Sequence, residues 1–131
     1  MITIEPVSEA DYKFLYTLMA ERTPKVNISH RNMPTWEDHV GFCKDDPYPH
    51  RYIIWCGPIR VGTIYLTDHR EIGLFIGREH QGGGLGHEAL QLLLQKIPGK
   101  VYANINPLNV ESIHFFKGEG FQLLQQTYCL N

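Results

Sequence analysis

"REHQGGGLGHEALQLLLQKI", Arg78 to Ile97, sets Gly82, Gly83 and Gly84 side by side, adds Gly86 after one residue, and runs straight into a helical pattern. The preceding "EIGLFIG", Glu71 to Gly77, reads as a β-strand. A glycine inside a helix costs about 1 kcal/mol relative to alanine, so the run needs a reason. The first amides of a helix have no intrahelical partner, and the helix dipole adds partial positive charge there. Without Cβ atoms, a bulky anion can reach those amides. The loop therefore suits a diphosphate held by main-chain N–H groups. A tight strand-to-helix turn would need only one or two glycines.

The pattern extends outward from this loop. Gly86, Ala89, Leu90, Leu93 and Ile97 form an apolar stripe, and His87, Glu88, Gln91, Gln95 and Lys96 fall on the opposite face. "PGK" (98–100) stops the helix, and "KVYANI" (100–105) reads as the next strand, completing a βαβ-like unit whose crossover should be right-handed. Upstream, Ile2 to Val7 predicts a strand. Ser8 predicts an N-cap with Asp11 as the capping-box acid, and Phe14, Leu15, Leu18 and Met19 continue a helix to about Glu21. The loop "RTPKVNISHRNMP" leads to a second helix from Thr35, with Asp38 at the matching acid position and Trp36, Val40 and Phe42 as its buried side. "HRYIIWC" and "IRVGTIYLT" around "GP" predict a hairpin. Asn109 or a neighbour opens a last helix to about Glu119, and "FQLLQQTYCL" predicts two short strands around a tight turn. The order β-α-α-β-β-β-α-β-α-β-β defines an α/β chain.

Composition narrows the function. A chain of 131 residues, 43% hydrophobic, suits one domain, 1–131, with one core. A net charge of −2 without a long run of one sign gives no support for nucleic-acid binding. Three cysteines, Cys43, Cys56 and Cys129, form no CxxC pair and fit a reducing compartment. "MITIEPVSEADYKF" lacks the pattern of a signal peptide, and no window approaches the ~20 apolar residues of a membrane span. A soluble cytoplasmic domain is expected. None of the seven histidines is spaced for a metal, and no metal is expected.

Two phosphate-binding motifs compete for the loop. A P-loop ends in GK[ST], which is missing here. "GLGHEA", Gly84 to Ala89, fits G-x-G-x-x-A of the dinucleotide fingerprint, which also expects an acid about 20 residues on. "ANIN", with Asn104 and Asn106, stands there instead, and too little chain follows for a doubly wound sheet.

"QGGGLG", Gln81 to Gly86, resembles the Q/R-x-x-G-x-G/A signature of the GNAT superfamily of acyl-CoA-dependent N-acetyltransferases. "NVESIHFFKGEGF", Asn109 to Phe121, resembles the family's N-x-x-A/S-x-x-x-Y-x-x-x-G-F segment, with Asn109, Ser112, Gly120 and Phe121 in register. The close resemblance covers Glu71 to Phe121. It implies a GNAT-like acyl-CoA N-acyltransferase fold, a central mixed sheet splayed between strands 4 and 5 and flanked by helices. It implies acetyl-CoA as cosubstrate, its pantetheine arm along Leu74, Phe75 and Ile76. The diphosphate would lie on the loop Gln81, Gly82, Gly83, Gly84, Leu85, Gly86 and His87, and Asn109, Ser112 and Phe116 would complete the cosubstrate site. Arg78 and Lys117 are further candidates near the phosphates.

Acetyl transfer from a thioester to an amine needs a neutral amine, and a lysine-like amine has a pKa near ~10.4. A general base must take its proton, and the oxyanion needs a donor. On the family resemblance Glu71 is the first candidate base, acting through water, with His69 and His39 behind it. The amide of Ile76 or Phe75 is the candidate oxyanion donor. The family's tyrosine acid falls at Phe116, which has no proton to give, and leaves Tyr102 and Tyr128 as alternatives. His30, Arg31, Trp36 and His39 are candidates for the acceptor site, and Arg31 and Arg51 would favour an anionic acceptor. The acceptor is expected to be a small-molecule or peptide amine, with no nucleic acid or membrane partner, and a homodimer is left open. Cys56 and Cys129 read as buried small hydrophobes, so direct transfer in a ternary complex is expected over an acyl-enzyme. The alternative is a non-catalytic acyl-CoA sensor or interaction module on the same fold.

Overall fold

The computed structural model describes residues 1–22 and 33–131. The chain begins with β1 (Ile2–Pro6), a short 3₁₀ turn (Glu9–Asp11) and α1 (Tyr12–Ala20). Ser8 and Asp11 make the expected capping contacts. The Ser8 amide and hydroxyl donate to Asp11 Oδ2 at 2.8 and 3.1 Å, and the turn closes with the Asp11 amide on the Ser8 carbonyl at 2.9 Å. Asp11 is buried and also accepts from Arg60 Nε at 2.8 Å, so the start of α1 is tied to the sheet.

α2 (Trp36–Asp45) is capped by Thr35, whose hydroxyl accepts from the Asp38 amide at 3.1 Å. Its buried side differs from the sequence expectation. His39 and Cys43, one turn apart, face inward, while Trp36 and Phe42 are exposed. Phe42 finds its partners sideways instead, edge-on to Tyr48 at 5.6 Å and under the Arg51 guanidinium at 5.3 Å.

β2 (His50–Cys56), β3 (Ile59–Leu66) and β4 (Ile72–Ile76) follow, and the sheet order is β1-β2-β3-β4, antiparallel throughout. Arg70 closes the β3–β4 turn in the left-handed region, φ 62°. α3 (Leu85–Lys96) covers one face of the sheet. Ala89, Leu90, Leu93 and Ile97 of its stripe pack on Ile4, Ile54, Ile64, Leu66 and Ile72. Complete burial of Leu90 and Leu93 contributes about 1.5–3 kcal/mol each. α1 and α2 cover the other face, where Leu15, Cys43 and Ile53 form a smaller cluster.

The last third departs from expectation twice. Residues 100–105 make one parallel bridge, Tyr102 to Glu71, rather than a full strand. Burial still alternates, with Val101, Ala103 and Ile105 inward and Tyr102 and Asn104 outward, so the segment keeps an extended period of two. After α4 (Val110–Gly118), residues 122–131 form no strand and are exposed, Cys129 included. "QQT" at their centre offers no residue suited to φ > 0, which a two-residue hairpin turn demands. Among the described residues, no helix is long and apolar enough to cross a membrane.

Candidate active site at the open edge of strand four

β4 has one closed edge and one open edge. Thr67 N–H donates to the Glu71 carbonyl and Gly77 N–H to the Val61 carbonyl. Antiparallel pairing alternates, so Gly73 and Phe75 between them also turn their amides to β3, opposite Tyr65 and Thr63. Ile72, Leu74 and Ile76 therefore turn theirs the other way. Ile72 N–H donates to the Tyr102 carbonyl at 2.7 Å, and Tyr102 N–H donates to the Arg70 carbonyl at 2.9 Å. Beyond that bridge the two segments part. The amides of Leu74 and Ile76 face the gap, with Gln81 Nε2 on the Ile76 carbonyl at 2.9 Å. Phe75 is thereby removed as an oxyanion donor or backbone contact in the gap, because its amide is spent in the β3 ladder.

Glu71 stands at the apex of this gap. Its carboxylate accepts from the Asn104 side chain across the gap and from the Thr67 hydroxyl at 3.4 Å. Asn104 and Thr67 were not singled out as site residues from sequence. The period-two pattern of "KVYANI" was the available signal, since it puts Tyr102 and Asn104 on one side.

The glycine loop closes one end of the gap. Gly82 and Gly84 are left-handed, φ 88° and 80°, which favours glycine. A Cβ at Gly82, Gly83 or Gly84 would meet nothing within 4 Å. No side chain caps α3 at Gly84, and the first helical bond runs from Glu88 N–H to the Gly84 carbonyl at 3.2 Å. The amides before Glu88 are thus offered to an anion. Leu85 and Gly86 face inward. Leu85 packs on the core, and a Cβ at Gly86 would press on the Phe115 ring at 3.3 Å.

Other predicted residues are engaged elsewhere. His87 Nδ1 donates to Glu119 at 2.7 Å, which turns it toward α4. The Arg78 amide donates to Glu21 Oε1 at 2.8 Å, tying the end of β4 to the end of α1. Asn109 is buried and caps α4, its Oδ1 accepting from the Ser112 amide at 3.3 Å. Phe116 is buried between Phe115 and Phe121, each ring 5.0 Å away. Lys117 is exposed.

On the acceptor side, His39 is 1% exposed and its Nε2 donates to the Tyr12 carbonyl at 2.8 Å, so it is neither a base nor a substrate contact. That bond also denies its Nε2 to the Cys43 thiol 3.6 Å away, and burial pushes the thiol pKa up, against an acyl-enzyme. His69 is solvent-exposed beside Asp68, and Tyr128 is exposed with its hydroxyl on Gln126. His30 and Arg31 lie outside the described residues. Trp36 remains available, 43% exposed and edge-on to Tyr16 at 5.4 Å.

One feature of this face was missed from sequence. Glu71, Gly73 and Phe75 share a face of β4. Tyr65, directly opposite Gly73, lies over it and stacks on Tyr48 at 4.5 Å and 3°. Arg22 sits over the Phe75 ring at 5.4 Å. Counting the hairpin register outward from the turn "DHR" (68–70) would have paired the tyrosine with the glycine. Among the described residues, no three of His, Cys, Asp and Glu come together as a metal ligand set.

A four-stranded antiparallel sheet that opens beyond its fourth strand, with a glycine loop leading into a helix at the opening, defines an acyl-CoA-type transferase fold. The model of the Acetyltransferase (GNAT) family matches residues 12–121, and the chain belongs to that family. An acetyltransferase from Thermus thermophilus superposes with TM-score 0.76 at 23% identity, over 95% of this chain and 89% of that one. A Salmonella typhimurium structure with its cofactor acetyl-CoA gives TM-score 0.74 at 20% identity, over 92% and 79%. Spermidine N-acetyltransferase from Vibrio cholerae, in complex with CoA and spermine, gives TM-score 0.74 at 19% identity, over 91% and 79%. None of the curated proteins matches the sequence.

Proposed function

We propose that this protein transfers an acetyl group from acetyl-CoA to a primary amine by direct attack in a ternary complex. The observation that carries the reading is the gap beside β4. Two strand amides without a partner among the described residues, a helix start with no side-chain cap behind open glycines, and a held carboxylate converge on it. These residues fit the coenzyme. The amides at the mouth of α3 suit its diphosphate, and the Leu74 and Ile76 main chain suits the amide-bearing pantetheine arm. The bound coenzyme supplies the thioester carbonyl.

The chain's own residues then have distinct tasks. The Ile76 or Leu74 amide, fixed by the ladder, is aimed at the developing oxyanion. Glu71 accepts the amine proton through water, and Asn104 and Thr67 fix its orientation. Tyr65 and Tyr48, on the same face as Glu71, with Trp36 nearer α1, offer aromatic surfaces to the acceptor. A protonated amine is attracted both to aromatic faces and to a carboxylate. Spermine in the Vibrio cholerae complex is a polyamine, and a small-molecule amine is the acceptor class we favour here.

Glu71→Gln should lower the transfer rate about 100-fold or more near pH 7. The deficit should shrink at high pH, where the amine is already neutral, and CoA affinity by calorimetry should hold. Equal losses at every pH would remove Glu71 from the base role. A second reading is favoured by Phe116, which has no hydroxyl and is buried. In it the fold binds acyl-CoA without turnover. Thiol release from acetyl-CoA across an amine panel separates the two, because the sensor reading expects none above hydrolysis.

A further inference from the structure

Two arginines stand on the acceptor face, and the transfer of an acetyl group gives neither a task. Arg22, just past the end of α1, lays its guanidinium over the Phe75 ring at 5.4 Å. Arg51 of β2 lies against the Phe42 and Tyr48 rings, at 5.3 and 5.7 Å. Both side chains are half-buried, and the Nε of each is buried with no hydrogen-bond partner. Neither arginine forms an ion pair among the described residues. Arg51 Nη1 reaches only the Cys43 sulfur, at 3.8 Å, a weak acceptor. A buried donor on a cation is costly without an acceptor, and an anion would supply one.

The two charges bear on one phenol. Tyr48 stacks flat on Tyr65, 4.5 Å and 3° apart, and Tyr65 lies over Gly73. Burial pushes the Tyr48 hydroxyl pKa up and the Tyr65 hydroxyl adds to it, while Arg51 and Arg22 both pull it down. Two phenols and the Arg22 guanidinium thus gather above Gly73 and Phe75. These positions are two and four residues from Glu71 on the same face of β4, roughly 7 and 13 Å along the strand. A guanidinium fork matches carboxylate and phosphate alike, and phenol hydroxyls donate to either. A polyamine would bring a further cation toward both arginines and be repelled.

We propose that the acceptor is an amine that also carries an anionic group, a carboxylate or a phosphate, and that Arg22 with the Tyr48 and Tyr65 hydroxyls binds this group while the amine lies toward Glu71. Arg51 adds its charge through the Tyr48 ring. The proposal rests on the transferase reading and narrows its acceptor class.

Thiol release from acetyl-CoA should be compared for four amines of one chain length: hexylamine, hexanediamine, aminohexanoate and aminohexyl phosphate. At least one anionic amine should exceed hexylamine in kcat/KM by about 10-fold or more, and hexanediamine should fall below it. The better of the two anionic amines identifies the group. Arg22→Gln should bring the ratio of anionic to neutral amine close to one, and Arg22→Lys, which keeps the charge, should restore part of it. Equal kcat/KM across the native panel, a preference for hexanediamine, or a ratio that survives Arg22→Gln would overturn the proposal. If Arg22→Gln fails to fold, the panel on the native protein decides. Calorimetry on the CoA complex tells the two readings apart. Aminohexanoate or aminohexyl phosphate binding more tightly than hexylamine, with no thiol release from any amine, keeps the anion seat and removes the transferase. Thiol release that is equal for all four amines keeps the transferase and removes the seat.

Discussion

At Gly73 in β4 and Gly62 in β3, the space beside the glycine is already occupied. A Cβ at Gly73 would fall within the Tyr65 ring, and one at Gly62 would collide with the Phe75 carbonyl oxygen. At Gly82, Gly83 and Gly84 the same construction meets nothing within 4 Å. The sheet glycines admit a neighbour that belongs to the chain. The loop glycines leave room for something the chain does not contain. They also lie on amides without intrahelical partners, so the room and the donors coincide. Residue type alone cannot separate these uses, and substitutions can.

The largest effect should come from Gly62→Ala. The obstacle is main chain, held in the β3–β4 ladder, so the strands must move apart. Overpacking of this kind costs about 3 kcal/mol, and thermal unfolding should fall by roughly 10 °C. A fall of a degree or two would mean that the ladder has slack at this point. Gly84→Ala should cost about 1–2 kcal/mol, because alanine is strained at φ 80° whatever the space around it. Calorimetry should show a drop of about 5 °C. Gly73→Ala comes next, at about 1 kcal/mol, because the obstacle is a side chain that can swing aside at the expense of the Tyr48 stack. Quenching of tyrosine fluorescence should change together with stability at this position, and at no other glycine in the series.

Much of this organisation was legible in the sequence, and the parts that were not share a cause. The strands from β1 to β4, α1, α3 and α4 announce themselves through periodicity and caps, which are local. Ser8 with Asp11, Thr35 with Asp38, and Asn109 all cap helices. The glycine loop was legible because four glycines exceed the needs of a turn. What failed depends on partners distant in sequence. His39 looks like a catalyst until the Tyr12 carbonyl claims it. The His87 ring looks like a phosphate contact until Glu119 claims it, although its amide stays among those at the helix start. Phe75 and Ile76 are indistinguishable as donors until the ladder assigns one to β3 and one to the gap. "FQLLQQTYCL" has strand composition, yet a strand needs an edge to pair with, and residues 122–131 meet none among the described residues.

Gly83→Ala should have the smallest effect on the fold and is the sharpest test of the comparison. Gly83 has no left-handed φ and no neighbour within reach of a Cβ, so the folded chain accepts alanine without strain. The unfolded chain loses freedom, and stability should rise by about 0.4–1 kcal/mol. The new methyl group would stand in the space between the loop amides and an approaching diphosphate. Affinity for CoA should therefore fall about 10-fold, or roughly 1.4 kcal/mol. Two measurements on one variant should move in opposite directions, melting temperature up and coenzyme affinity down. A merely structural loop would let both hold steady or fall together, and an unchanged CoA affinity would return the glycine run to the role of a turn.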